Sequence, residues 1–254
     1  MIEDLKQQVW TESYKVTSFL INLRGQAGLY SILNFIQDVG WQHAIHLEVE
    51  LKKDQGWVFT RQNLMMTDWP SRNEIVTLKT WLRAPTPIGF LMRDYEIFVG
   101  DRKIGECTSA FTVMDMKLRK MAQVDWTPYA QIWRHDGYLQ SNPEKIIIEK
   151  DTIDLAQFEV RNSDIDTNNH VNNTKYAQWI LDSVPIETLR AGIDLHQYEI
   201  NFLAETKMGD VIHVQKAKQD QVQNEKSVIY FQGQRSLDQK IVFSARMKTT
   251  AVKN

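Results

Sequence analysis

Two stretches of this chain carry the same order of elements 144 residues apart, and no other feature limits its possible folds as much. At that offset Tyr14 and Val16 fall on Phe158 and Val160, Phe35 on Trp179, Ile36 on Ile180 and Asp38 on Asp182. Identity between the halves is low, but apolar positions meet apolar positions, as duplication of one strand–helix–sheet unit requires. At 254 residues each half is long enough to bury a core of its own.

In the first half, residues 10–24 alternate and are rich in β-formers (Tyr14, Val16, Phe19, Ile21), which predicts a strand. Leu29, Ile32, Leu33, Ile36 and Val39 then recur at helical spacing, predicting an amphipathic helix that does not run far beyond His46. Strand-like runs follow at 57–66, 74–82, 89–99 and 103–114. Pro and small polar residues at 68–71 and 85–87 mark loops between them. The second half repeats the plan. A strand at 158–160 leads into a polar turn over 162–173. A helix then places Tyr176, Ala177, Ile180, Leu181 and Val184 on one face and is stopped by Pro185. Four strand-like runs close the chain at 197–204, 211–217, 227–232 and 241–249. The expected division is residues 1–135 and 156–254, with the weakly patterned stretch 136–155, including Asn142 and Pro143, as linker.

Composition narrows the function classes. With 43% hydrophobic and 24% charged residues the chain is an ordinary globular protein. A net charge of −2 gives no bulk drive toward nucleic acid or anionic membranes. No apolar run approaches the roughly 18–20 residues needed to span a bilayer. The opening residues, Met1 to Lys6, lack a secretory apolar segment. The single cysteine, Cys107, allows no intramolecular disulfide and no multi-cysteine metal site. The expected compartment is the cytoplasm.

Chemistry concentrates in the polar turn. Asp164, Asp166, Asn168, Asn169, His170, Asn172 and Asn173 crowd into ten residues directly before the second helix. Either Asn172 or Asn173 serves as the helix N-cap, but capping does not call for an imidazole and two acids as well. In the first half the same offset sets Asn22, Arg24 and Gln26 opposite Asp166, Asn168 and His170. That copy has the helix entrance without the acid and imidazole, so the chemistry is assigned to the second copy.

The run Asp166-x-Asn168-x-His170-Val171-Asn172-Asn173, followed by Tyr176 and Trp179-Ile180-Leu181, resembles the acyl-acyl carrier protein (ACP) thioesterase family. Gly56-Trp57-Val58, Trp81 and Arg93-Asp94 in the first half are similar to that family as well. The resemblance implies an α+β fold, a tandem (double) hotdog of two antiparallel sheets each wrapping a long central helix. It also implies hydrolysis of fatty acyl-ACP to free fatty acid and ACP, with no metal or cofactor. The family uses a further carboxylate, often directly before a cysteine, and Glu205 occupies that place with Thr206 in the cysteine's position. By resemblance Asp166, Asn168, His170 and Glu205 form the catalytic network. Either Asp166 or Glu205 serves as base toward water, His170 orients or polarises that carboxylate, and Asn168 holds water or the thioester carbonyl. A cysteine nucleophile is excluded at 206. The helix N-terminus offers stabilisation for an oxyanion.

The first unit, lacking acid and imidazole, is the expected home of the acyl chain, with Ile32, Phe35, Ile36, Met65, Met66, Leu91 and Met92 as possible walls. ACP is acidic, so Lys117, Arg119 and Lys120, together with Arg72, are candidate docking residues. An acyl-CoA thioesterase, a non-catalytic acyl sensor and a hotdog dehydratase are the competing readings. Two fused units are compatible with a monomer or a homodimer.

Overall fold

The computed structural model describes residues 8–86, 89–147, 149–191, 193–223 and 226–251. The opening residues Met1 to Lys6 and the loop residue Pro87 therefore lie outside the described residues. The chain divides into two compact units, 1–143 and 144–254.

The first unit runs β1 (Trp10–Lys15), α1 (Leu29–His46), β2 (Gln55–Met66), β3 (Ile75–Arg83), β4 (Phe90–Val99) and β5 (Arg102–Asp115). Two short strands, β6 (Lys120–Met121) and β7 (Trp133–Arg134), follow. The main strands are antiparallel in the order β1-β3-β4-β5-β2. Helix α1 buries Leu29, Ile32, Leu33, Ile36, Val39 and His43, the stripe that helical spacing demands. Its last residue is His46, as the sequence pattern predicts.

The second unit runs β8 (Thr152–Glu159), α2 (Asn173–Asp182), α3 (Ile186–Ala191) and β9 (Ile193–Phe202). It continues with β10 (Val211–Ala217), β11 (Gln221–Gln223), β12 (Lys226–Arg235) and β13 (Ile241–Ala251). Its order, β8-β10-β12-β13-β9, is the first unit's order element for element, with β11 added beside β12. Helix α2 spans ten residues against eighteen in α1. Ser183 caps it, and after Pro185 the chain starts the separate α3, so the apolar pattern read through Val184 covers a helix end.

Three further features differ from the sequence expectations. The first strand stops at Lys15 rather than continuing to residue 24. Its partner β3 ends opposite it at Ile75, and Val16 is bonded instead to Asn73 and Glu74 of the preceding loop. Phe19 and Leu23, which the alternation counted as strand, are 83% and 64% exposed. Second, residues 152–155 of the expected linker belong to β8. Third, residues 139–146 of that stretch are docked rather than loose. Leu139 N donates to Asp94 (3.2 Å), Arg83 donates to Leu139 O (2.8 Å) and Asn142 (2.6 Å), and Ser141 donates to Glu106 (3.0 Å). Within the second unit Ile146 N donates to Asn201 (2.8 Å), Asn201 donates to Glu144 O (2.9 Å), and Glu144 N bonds Glu199. Buried strand side chains thus satisfy a segment whose own sequence shows no periodicity.

Candidate active site

The polar turn is built by its own backbone and one side-chain oxygen. Ile165 and Val171 form an isolated antiparallel bridge that closes it. Asp166 N donates to His170 O (2.9 Å) and Asn169 N to Asp166 O (3.1 Å). Asn169 takes the left-handed conformation the turn requires, at φ +61°, which Asn tolerates better than most residues. Asp166 Oδ1 accepts the N–H groups of Asn168 (2.8 Å) and His170 (3.4 Å), an Asx-type turn. One oxygen of the expected catalytic acid is therefore part of the turn's own architecture.

The turn enters α2 through Asn172, whose Oδ1 accepts Thr174 N at 3.0 Å and so settles which asparagine is the N-cap. Val171 N donates to the carbonyl of Thr206 (3.0 Å), tying the turn to the loop after β9. That tie brings His170 and Glu205 together, with Nε2 and Oε2 3.7 Å apart and both side chains about 30% exposed. The separation is longer than a direct hydrogen bond and short enough for an ion pair or one bridging water. Asp166 is half-buried and Asn168 exposed at the tip of the turn. All four expected site residues thus lie on two adjoining loops of one unit, 35 positions apart in sequence between His170 and Glu205.

Beneath the loops the floor is apolar. Tyr176 sits edge-on to Trp179, Phe202 and Phe243 at 5.3–5.5 Å, and Trp179 stacks on Phe158 at 6.0 Å. Burial pushes the Tyr176 hydroxyl up to about 12, partly offset by the Thr206 hydroxyl beside it. Thr206 is wholly buried, so the residue standing where the family has cysteine faces the core. Cys107 is buried on β5, and burial raises its thiol. It belongs to the first unit's core.

Arg235 joins the site without any sequence signal. The strand expected over 227–232 continues as β12 to Arg235, whose Nη1 donates to the carbonyl of Glu205 at 2.8 Å. No local pattern marks this arginine.

Comparison with known proteins decides the family. The acyl-ACP thioesterase N-terminal domain matches residues 7–132, and the C-terminal domain of the same family matches residues 148–245. The chain belongs to the acyl-ACP thioesterase family. A chloroplastic acyl-acyl-carrier-protein hydrolase of Cuphea viscosissima is 25% identical over 226 residues, covering 79% of this chain and 52% of that protein. A chloroplastic oleoyl-acyl carrier protein thioesterase of Coriandrum sativum is 24% identical, covering 80% and 61%. The chain therefore spans about half to three-fifths of the length of these curated relatives. A crystal structure of an acyl-ACP thioesterase from Bacteroides thetaiotaomicron matches with a TM-score of 0.83 at 20% identity, covering 97% of this chain and 99% of that one. The 12:0-ACP thioesterase from Umbellularia californica matches at 0.82 and 17%, covering 96% and 94%. This acyl-ACP thioesterase family member thus has the double hotdog fold. Among its described residues no helix is long and apolar enough to cross a membrane.

Proposed function

We propose that this protein hydrolyses the thioester of fatty acyl-ACP, releasing free fatty acid and ACP, and that Glu205 is the general base. The observation that carries this reading is the facing pair His170 and Glu205, 3.7 Å apart beside the α2 N-terminus. Asp166 has one oxygen committed to its own turn, whereas the Glu205 carboxylate faces the imidazole. Glu205, oriented by His170, takes a proton from water as the water oxygen attacks the thioester carbonyl carbon. The oxyanion of the tetrahedral intermediate is met by Asn168 and the helix N-terminus. Collapse breaks the C–S bond, and the proton held at the Glu205–His170 pair passes to the departing thiolate. Water is the nucleophile, since Thr206 is buried and no cysteine stands there.

The acyl chain is assigned to the first unit. Ile32, Phe35, Ile36, Met66 and Leu91 are buried there, while Met65 is 41% exposed and drops out of the proposed walls. Neighbours on a strand face opposite ways, so Met65 and Met66 cannot line one cavity. Each methylene accommodated contributes roughly 0.8 kcal/mol. For ACP, the 115–121 hairpin remains the proposed contact. Lys117 pairs with Asp54 at 2.9 Å on the surface, so Lys120 carries more of the proposed attraction than Lys117 does. Reversing charge at Lys117 and Lys120 should raise KM for acyl-ACP and spare small thioesters. Equal loss on both substrates removes the docking assignment.

The deciding experiment is release of free fatty acid from a panel of acyl-ACPs, with matched acyl-CoAs alongside, by wild type, Glu205→Ala and Asp166→Ala. Equal rates for all three proteins would overturn the site. Faster turnover of acyl-CoA would replace the substrate class.

A further inference from the structure

The loop carrying Glu205 is fastened by a single guanidinium. Arg235 closes β12 opposite Ile212, and its own N–H is bonded to Lys240 O at 2.9 Å. From there Nη1 donates to Glu205 O (2.8 Å) and to Asp210 Oδ2 (3.2 Å). Nε and Nη2 form a fork with Asp238, at 2.9 and 2.8 Å. The same Asp210 oxygen accepts Lys207 N at 2.9 Å. The Glu205 carbonyl and the Lys207 N–H therefore both end on one cation–carboxylate pair whose side chains are each 15% exposed, while the preceding Ala204 N is bonded to Val242 O. The next carbonyl, Thr206 O, receives Val171 N of the turn that bears His170. A shift of Arg235 would move the 205–206 peptide and, with it, both members of the facing pair.

The first unit shows what the fold alone asks of this position. There the corresponding loop is also held by an arginine from the neighbouring hairpin, since Arg102 bonds the Asp68 carboxylate, which also accepts Trp69 N at 2.8 Å. That pair is about half exposed on both sides, a surface bridge of the kind solvent weakens. In the second unit the cation is turned inward onto the backbone of residue 205 itself.

We infer that Arg235 is the positioning residue of the site, fixing the Glu205 carboxylate against His170 by holding the Glu205 carbonyl. This rests on the hydrolytic reading above for its kinetic consequence, though not for its geometry. A planar five-donor guanidinium spans three partners at once, which a lysine ammonium cannot do with the same fixity.

The test uses the full chain with Arg235→Gln, Arg235→Lys, Glu205→Gln and Asp238→Asn. It reads kcat and KM on an acyl-ACP, Tm, and the NMR chemical shifts of the His170 ring at one fixed pH. In R235Q kcat should fall by at least about tenfold with KM little changed, the signature of a misplaced catalytic group. Its His170 ring shifts should move toward those of E205Q, because in both variants the ring loses its facing carboxylate. R235K should fall between R235Q and wild type in both readouts. D238N, which loosens the guanidinium without removing it, should lower Tm and change kcat and the ring shifts less than R235Q does. The proposal is overturned if R235Q lowers Tm while kcat and the His170 ring shifts stay at wild-type values. If R235Q does not fold, an R235K protein identical to wild type in both readouts overturns it equally. Should wild type release no fatty acid, the functional reading fails separately and the ring shifts decide the role of Arg235.

Discussion

The turn before α1 and the turn before α2 are bonded alike. Asn22 N reaches Gln26 O at 2.8 Å, as Asp166 N reaches His170 O at 2.9 Å. Asn22 Oδ1 accepts Arg24 N (2.8 Å) and Gln26 N (3.3 Å), as Asp166 Oδ1 accepts Asn168 N and His170 N. Gly25 and Asn169 supply the positive φ, and the bridges Ile21–Ala27 and Ile165–Val171 close the two turns. Gln26 Nε2 even points to the same place as His170, donating to Trp69 O at 3.2 Å, where the second unit has Glu205. The fold therefore needs an acceptor oxygen at the position of Asp166 and is indifferent to its charge. What distinguishes the second turn is the imidazole, the facing carboxylate and the second oxygen of Asp166.

The largest effect expected from this comparison is at the position where the units differ most. Glu205→Gln should lower kcat by roughly 10²- to 10⁴-fold, the usual weight of a general base, with Tm nearly unchanged. Trp69→Ala in the mirror position should leave the chemical step alone. Steady-state kinetics on both variants checks the pair, and an active E205Q would end the assignment of the base.

A large stability effect is expected where the two cores exchange a bulky and a small partner. Ile97 on β4 faces Gly105 on β5, whereas Gly233 on β12 faces Phe243 on β13. A Cβ on Gly233 would come within 2.1 Å of the Phe243 ring, and Phe243 packs directly on Tyr176 under the site. Gly233→Ala should cost about 1–3 kcal/mol by overpacking, measured by denaturant unfolding. Full stability would mean that the floor is looser than this packing implies.

Asp166 offers the sharpest separation of turn from chemistry. Asp166→Asn copies Asn22 and should retain stability, while Asp166→Ala should lose about 1–2 kcal/mol with the two N–H bonds. With Glu205 as base, D166N should keep activity within about tenfold of wild type. A D166N protein as inactive as E205Q would move the base to Asp166. Smaller still is the cap. Asn172→Ala should cost about 1 kcal/mol by thermal unfolding. Its counterpart Gly28 has no side chain to cap α1, so the longer helix relies on its buried stripe.

The smallest effect is electrostatic. The hydrogen bonds from Arg235 hold the Asp238 carboxyl down at about 2, below its ordinary 3.8. A depressed carboxylate contributes stability above its ordinary range, and that contribution is lost as pH falls through the folded value. Asp238→Ala should therefore be less stable than wild type at neutral pH, with the gap closing between about pH 4 and pH 2. A gap unchanged at pH 2 would show that Asp238 acts through packing.

Much of this was legible in the chain. Period-two and period-3.6 patterns identified the four long strands of each half and the extent of α1, because one buried face leaves its mark on every second or third residue. The offset of 144 pairs the two turns correctly, since the duplication kept their length. Local chemistry failed where partners were remote. The alternation through Phe19 and Ile21 looked like a strand only because nothing local says that β3 ends at Ile75. The connector at 139–146 has no pattern of its own, because its order comes from Asp94, Glu199 and Asn201 on distant strands. Arg235 was silent for the same reason, since its partner is a carbonyl 30 residues away.

By itself the sequence determined the duplication, the strand–helix–sheet order of each unit, and the placement of acid, amide and imidazole on one turn, all of which depend on neighbours along the chain. Tertiary structure decided the rest. The sheet register and the Val171–Thr206 bond bring Glu205 to His170, and the bonds from Asn168 N and His170 N, matched in the first unit's turn, make one oxygen of Asp166 structural. Distances between loops arise from the pairing of strands remote in sequence, a cooperative property that no run of neighbouring residues encodes.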